Sequence, residues 1–239
     1  MRRMTSVLLA LSALVGASAL TAPAAAAAGQ TGRPAAAQTA VPAGWEVVRG
    51  GEVAALNGGA DGERSSAPQG PAARNLTAQD LTEQGSEADE TSLIAMQSVR
   101  NKRFVTTEKT YPAPNTGALR ARSAEYGGSW EGFAFEWDET TETYALRSLA
   151  NDLYVAVEKN FTGSSQNLLR ARSTGVGGWE RFVVYYNEEL DRWALQSTLN
   201  GLFVAMENGY TGSLQYALRA RSAEIGGSWE EFVLYDLGA

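Results

Sequence analysis

The chain has 239 residues, 44% of them hydrophobic and 20% charged, with a formal net charge of −7. That is enough for one sizeable core, and a net acidic chain without a basic block is a poor match for nucleic acid, where phosphate neutralisation dominates, or for anionic membranes. It contains no Cys and no His, which excludes disulfides, thiolate or imidazole metal sites and Ser-His-Asp or Cys-His catalysis; no metal or other cofactor is expected.

In chain order, "MRRMTSVLLALSALVGASALTAPAAAAAG" reads as a secretory signal over residues 1–28. Arg2 and Arg3 supply the charged start, Val7 to Leu20 the apolar stretch, and the small residues up to Ala28 the cleavage points. The unbroken apolar run is short of the ~20 residues a spanning helix needs. The expectation is an exported protein without membrane insertion. Residues 29–90 are rich in Ala, Gly, Pro, Ser, Gln and acidic residues, and read as a low-complexity, disordered linker. Within them only "WEVVRGGEVAAL", Trp45 to Leu56, is apolar enough to dock as a short strand or helix instead. Asn75-Leu76-Thr77 and Asn160-Phe161-Thr162 match the glycosylation triplet.

From Thr91 onward the chain repeats itself three times, over about 91–140, 141–190 and 191–239. A Leu recurs at 119, 169 and 218, a Trp at 130, 179 and 229, and a Ser at 98, 148 and 197. In the middle repeat four strand-like runs stand out: "YALRS", "LYVAVE", "NLLRARS" and "WERFVVYY", separated by "LAND", "KNFTGSSQ" and "TGVGG". Short runs of β-branched and aromatic residues bounded by turn formers predict an all-β domain. Twelve short strands in three equal units are too few for a propeller, and an open array would expose long edges. A closed barrel capped by three hairpins satisfies both constraints: a β-trefoil with pseudo-threefold symmetry.

In "LRARS" the side chains alternate, so Leu169 and Ala171 face the core while Arg170 and Arg172 face outward. Each repeat carries such an arginine pair, a Glu closing its second strand (Glu108, Glu158, Glu207) and a Glu after its Trp (Glu131, Glu180, Glu230). The expectation is structural ion pairs between two arginines and two glutamates, against a threefold anion site. Trp179 and Phe182 are three apart, which breaks alternation and predicts a β-bulge or strand start between them, with both rings in the core. The loops "EKTYPAPNTG", "EKNFTGSSQN" and "ENGYTGSLQY" each hold an aromatic three residues after the Glu: Tyr111, Phe161 and Tyr210. These rings, with Asn160, Asn208, Gln166 and Gln215, are the candidate ligand-binding set: a stacking platform with amides for sugar hydroxyls. The alternative is that the rings close the barrel or brace a hairpin.

The repeated "NGLFVAMENG…ALRARS…WEEF" and "NDLYVAVEKN…LLRARS…WERF" phrases resemble fascin-like β-trefoil domains of the actin-crosslinking type, in their exported microbial versions, over roughly Thr91 to Ala239. The resemblance implies the trefoil fold and sugar binding by a face other than that of ricin-B-type lectins, whose Gln-x-Trp is missing here; "DRWAL" around Trp193 lacks the Gln. Filament bundling in a cytoplasm does not suit a chain with a signal segment. The expected function is thus a secreted, non-catalytic, monomeric module binding a glycan or other extracellular polymer. The alternatives are a protein-binding or structural trefoil, such as a crosslinker or protease inhibitor, and a glycosidase. Two carboxylates would suffice for the last, but the conspicuous ones recur threefold, whereas an acid and a base need different environments.

Overall fold

Short strands that alternate apolar and polar residues cannot bury their apolar face alone, so three copies close around one another. The computed structural model describes residues 41–50, 53 and 91–238, within one compact unit, Ala36–Ala239. Its strands are β1 Glu46–Val48, β2 Thr91–Ser98, β3 Phe104–Glu108, β4 Ala118–Ser123, β5 Gly132–Asp138, β6 Thr143–Ser148, β7 Leu153–Glu158, β8 Leu168–Ser173, β9 Arg181–Asn187, β10 Arg192–Ser197, β11 Phe203–Met206, β12 Leu218–Ser222 and β13 Phe232–Asp236.

Antiparallel pairing runs from β2 to β5, β6, β9, β10 and β13, and β13 returns to β2, which closes the barrel. The hairpins β3–β4, β7–β8 and β11–β12 form the cap. They are joined to one another by β4–β8, by β8–β12 and by a bridge between Arg120 and Ala217. This is the β-trefoil expected from the repeats. Each cap hairpin carries a register shift at its first pair, at Phe104/Val105, Tyr154/Val155 and Phe203/Val204, so even the irregularity is repeated.

The core follows the alternation. Leu119, Leu169 and Leu218, with Phe133, Phe182 and Phe232, are fully buried; each such side chain stabilises the fold by about 1.5–3 kcal/mol. The tryptophans depart from expectation. Trp130, Trp179 and Trp229 are half-buried, not core. They lie in the turn just before β5, β9 and β13, so strand alternation does not govern them. Each main-chain carbonyl instead accepts a cap N–H, from Thr107 (2.9 Å), Val157 (3.0 Å) and Met206 (2.9 Å). Over each ring sits a cation: Lys109 at 5.1 Å, Arg172 at 5.4 Å and Arg100 at 4.7 Å. Indole is apolar with an electron-rich face, so it suits the rim, where a cation can cover it.

The linker expectation for 29–90 needs correcting where those residues are described. Glu46–Val48 pairs with β9, Val47 opposite Tyr185 and Val48 opposite Val184. Trp45 packs with Tyr185, Ala194 and Phe203. Val48 and Val53 are buried in the main core cluster, and the Tyr144 hydroxyl donates to the Gly50 carbonyl at 2.6 Å. The reason is geometric. β6 reaches only the first residues of β9, Phe182 and Arg181, and the rest of that edge needs another strand. The signal segment 1–28, the remainder of 29–90 and Asn75 lie outside the described residues. Among the described residues no helix is long and apolar enough to cross a membrane.

Candidate functional site

The three loops 109–117, 159–167 and 208–216 lie on the cap, and the same chemistry fixes each. The Glu closing the second strand of each repeat is buried, and its Oε1 receives both arginines of the following strand. Glu158 accepts from Arg170 Nη1 at 2.8 Å and Arg172 Nε at 2.7 Å. Glu108 accepts from Arg120 Nη1 at 3.2 Å and from Arg122 Nε. Glu207 accepts from Arg219 Nη1 at 3.1 Å and pairs with Arg221 Nε at 2.5 Å. The inner arginine then reaches the neighbouring repeat: Arg120 Nε donates to the Gln215 carbonyl (2.6 Å), Arg170 Nε to Thr116 (2.9 Å) and Arg219 Nε to Gln166 (2.6 Å). Main-chain bonds run alongside, from Ala121, Ala171 and Ala220 to Tyr216, Gly117 and Asn167. Gly117 cannot be larger, since a Cβ would stand 2.3 Å from the Ala171 carbonyl.

The second glutamate of each repeat takes no arginine, contrary to the expected two-by-two pairing. Glu131 accepts from Ser123 Oγ (2.7 Å) and Thr106 Oγ1 (3.2 Å), Glu180 from the Gly177 N–H (2.8 Å), and Glu230 from Ser222 Oγ (2.5 Å). Glu131 and Glu230 thus tie the Gly-rich turn back to the cap, while Glu180 closes the turn on itself. All three follow the Trp in the turn before the last strand of each repeat, off the hairpin on which the first glutamate faces the arginine pair.

The loop aromatics stand on the same arginines. Tyr111 lies over Arg120 (5.6 Å to the ring centre), Phe161 over Arg170 (5.5 Å) and Tyr210 over Arg219 (5.7 Å). The Tyr111 hydroxyl accepts from Arg120, and the Tyr210 hydroxyl from Arg219 at 2.5 Å. Phe161 and Leu214 also pack on a small buried cluster of Ala118, Leu168 and Ala217, where the three cap hairpins meet. The rings therefore brace the cap and remain partly exposed. Asn160, Asn208 and Gln166 are exposed and Gln215 is half-buried. The fold uses the main-chain carbonyls of the two glutamines, not their amides.

The loops are not equivalent. The second and third carry single 3-10 turns, Gly163–Ser165 and Gly212–Leu214. The first has Pro112 and Pro114 at that place, and Thr116 Oγ1 donates to the Tyr111 carbonyl at 2.7 Å. A cleft of about 270 Å³ opens beside the third loop, lined by Ser164, Gly209, Tyr210, Thr211 and Leu214. Of the candidate set, Tyr210 alone lines it. Its other lining residues, Ser164, Gly209, Thr211 and Leu214, lie outside that set; the "TGS" shared by the second and third loops marks Ser164 and Thr211 but not Gly209 or Leu214. Among the described residues no group of three or more metal-ligating side chains occurs.

In structure the chain is similar to a mosquitocidal holotoxin (TM-score 0.51, 12% identity), the match covering 63% of this chain and 17% of that longer one. It is also similar to the designed threefold-symmetric protein ThreeFoil (TM-score 0.48, 16% identity, 60% and 98% of the two chains). A third is the ricin B-like lectin of Macrolepiota procera solved with lactose (TM-score 0.45, 12% identity, 60% and 94%). These likenesses are of fold. No family model and no curated protein matches the sequence.

Proposed function

We propose that the chain is an exported, monomeric, non-catalytic β-trefoil module that binds carbohydrate in the cleft beside Tyr210. A fascin-like trefoil of the exported microbial type is the family reading that accompanies it, supported by the repeated phrases. The observation that carries the proposal is the cleft itself. It joins an aromatic ring, a Leu side chain, the hydroxyls of Ser164 and Thr211 and the open backbone of Gly209. A sugar presents the matching chemistry, an apolar C–H face ringed by hydroxyls. Arg219 holds the Tyr210 ring from its hydroxyl and across its face, so little ordering is left to binding. At about 270 Å³ the cleft is near the lower end, roughly 300 Å³, of ligand pockets, which suits one sugar ring of a longer chain. The recurring carboxylates already accept bonds from arginines, hydroxyls or, for Glu180, a main-chain N–H, which favours binding over hydrolysis.

The test is a broad glycan panel probed with the whole chain, with Tyr210→Ala and with Ser164→Trp. The second change fills the cleft from an exposed loop position and is expected to leave thermal unfolding unchanged. Both variants should lose at least about tenfold in affinity, ~1.4 kcal/mol. Unchanged binding by Ser164→Trp, or no glycan bound by the parent chain, would refute the proposal.

A further inference from the structure

The turn between β2 and β3 reads "VRNKR" in the first repeat, "LAND-L" in the second (Leu149 to Leu153) and "TLNGL" in the third. The backbone is the same in all three. Lys102, Asp152 and Gly201 all adopt left-handed φ, at 57°, 58° and 69°. Their N–H groups donate to Ser98, Ser148 and Ser197, each at 2.9 Å. Asn101, Asn151 and Asn200 donate across the cap to the carbonyls of Ala121, Ala171 and Ala220 at 2.8, 2.9 and 3.0 Å. The turn therefore forms equally well from Ala-Asn-Asp-Leu and Leu-Asn-Gly-Leu, and the fold does not require cations there. Lys102 even occupies the conformation that favours glycine.

Arg100, Lys102 and Arg103 are all exposed. None forms an ion pair with a carboxylate among the described residues; Glu108, at the far end of β3, is taken by Arg120 and Arg122. Two of the three cations are held in place by other means. Arg100 lies 4.7 Å over the Trp229 ring, and Arg103 Nη1 donates to the carbonyl of Arg122 at 2.8 Å. Arg122, 42% exposed along its side chain and bound through Nε, extends the patch. Two acidic residues lie near the turn: Glu125, just beyond the end of β4, whose Ser123 pairs with Phe104, and Glu231, whose carbonyl accepts from the Val99 N–H at 3.0 Å. Neither forms an ion pair with these three cations. More acidic groups lie at the other end of β2. There Thr91 faces Glu136, and the β5–β6 and β9–β10 turns carry Glu139, Glu142, Glu188 and Glu189.

We propose that the Arg100–Arg103 turn, with Arg122, docks an acidic polysaccharide: a glycan bearing carboxylate or sulfate groups. The site is separate from the Tyr210 cleft and does not depend on it. A local cluster of cations on a body of net charge −7 attracts an anion while the acidic end repels it, which orients the encounter. A duplex, with a phosphate charge every ~1.7 Å of axis, demands a continuous cationic track. A polymer with one charge per sugar needs only a few separated contacts.

The whole chain would be titrated with polygalacturonate and with heparin, alongside neutral dextran and duplex DNA, at low and high salt. Binding to the acidic glycans, weakening with salt, is expected. The variant Arg100→Ala, Lys102→Gly, Arg103→Gln puts at the first two places residues found in the other two turns (Ala150 and Gly201) and an uncharged polar residue at the third, all exposed, and should keep the parent's melting temperature. It should bind at least about tenfold more weakly and show a shallower salt slope, while Arg103→Lys keeps most of the affinity. Ser164→Trp should leave this binding untouched, which separates the two sites. No acidic glycan bound at low salt, equal binding by the triple variant, or DNA bound as tightly as the glycan would each overturn the proposal.

Discussion

In the second repeat, Glu158 takes Arg170 and Arg172 on one oxygen beneath the cap, while on the barrel wall Glu136 takes Arg147 at 2.7 Å and the Tyr154 hydroxyl at 2.8 Å. The residue types are alike and the surroundings are not. The Glu158 side chain is 5% exposed and Glu136 25%, and Asp152, which also pairs with Arg147, is 73% exposed. The cap set recurs in every repeat. The wall set occurs once. Where Arg147 and Tyr154 of the second repeat meet Glu136 of the first, the equivalent places hold Gln97 and Phe104 with Tyr235, and Gln196 and Phe203 with Tyr185. There the two rings sit 5.5 Å apart and the tyrosine hydroxyl donates to the glutamine. A buried carboxylate with two guanidiniums cannot be exchanged piecemeal. A half-exposed corner can be rewritten, provided all three positions change together.

The largest effect should therefore come from the cap. Glu158→Gln leaves Arg170 and Arg172 without their countercharge and should cost about 3 kcal/mol of unfolding free energy. Glu136→Gln, on the wall, should cost under about 1 kcal/mol. Urea unfolding of the two proteins compares them directly, and equal losses would break the distinction.

A smaller effect sharpens it. Glu136→Tyr alone sets a phenol against Arg147 and Tyr154 and should destabilise by roughly 1 kcal/mol; adding Arg147→Gln and Tyr154→Phe should restore most of it, a coupling of about 1 kcal/mol. Strict additivity in the same unfolding assay would show that the corner is not a set.

The smallest effect is in alkali. Burial, then the bond its hydroxyl gives to Glu136, pushes the Tyr154 phenol up to about 12 from an ordinary 10.0. A raised pKa favours the protonated folded form, so its contribution is complete below pH 10 and fades as pH rises towards 12. Burial raises Tyr126 and Tyr185 as well, so tyrosinate absorbance should show several late-titrating groups, one fewer in Tyr154→Phe, and that variant should lose less stability across the same interval.

Much of the fold was legible because the hydrophobic pattern was written three times. Leu169, Ala171 and Phe182 could be assigned to the core from alternation alone, and the closed barrel from the need to cover edges. Trp179 could not, because it precedes the strand and answers to Arg172 instead. Glu46–Val48 was obscured by polar, Gly-rich neighbours; its partner edge on β9 exists only after the barrel closes. Tyr210 and its loop were visible as a repeat. That its ring would lean on Arg219, nine positions away, follows from hairpin register, which spacing alone does not reveal. The cleft residues Ser164 and Thr211 belong to different repeats, so no single stretch of sequence announces them.

The handclasp of the inner arginines has one more implication. Arg170 reaches back to the first copy and Arg219 to the second, while Arg120 reaches round to the third. Such a circle has neither head nor tail, so where translation starts and stops is a seam laid across it and not a feature of its strength. A lone copy would be left holding out one guanidinium and one carbonyl.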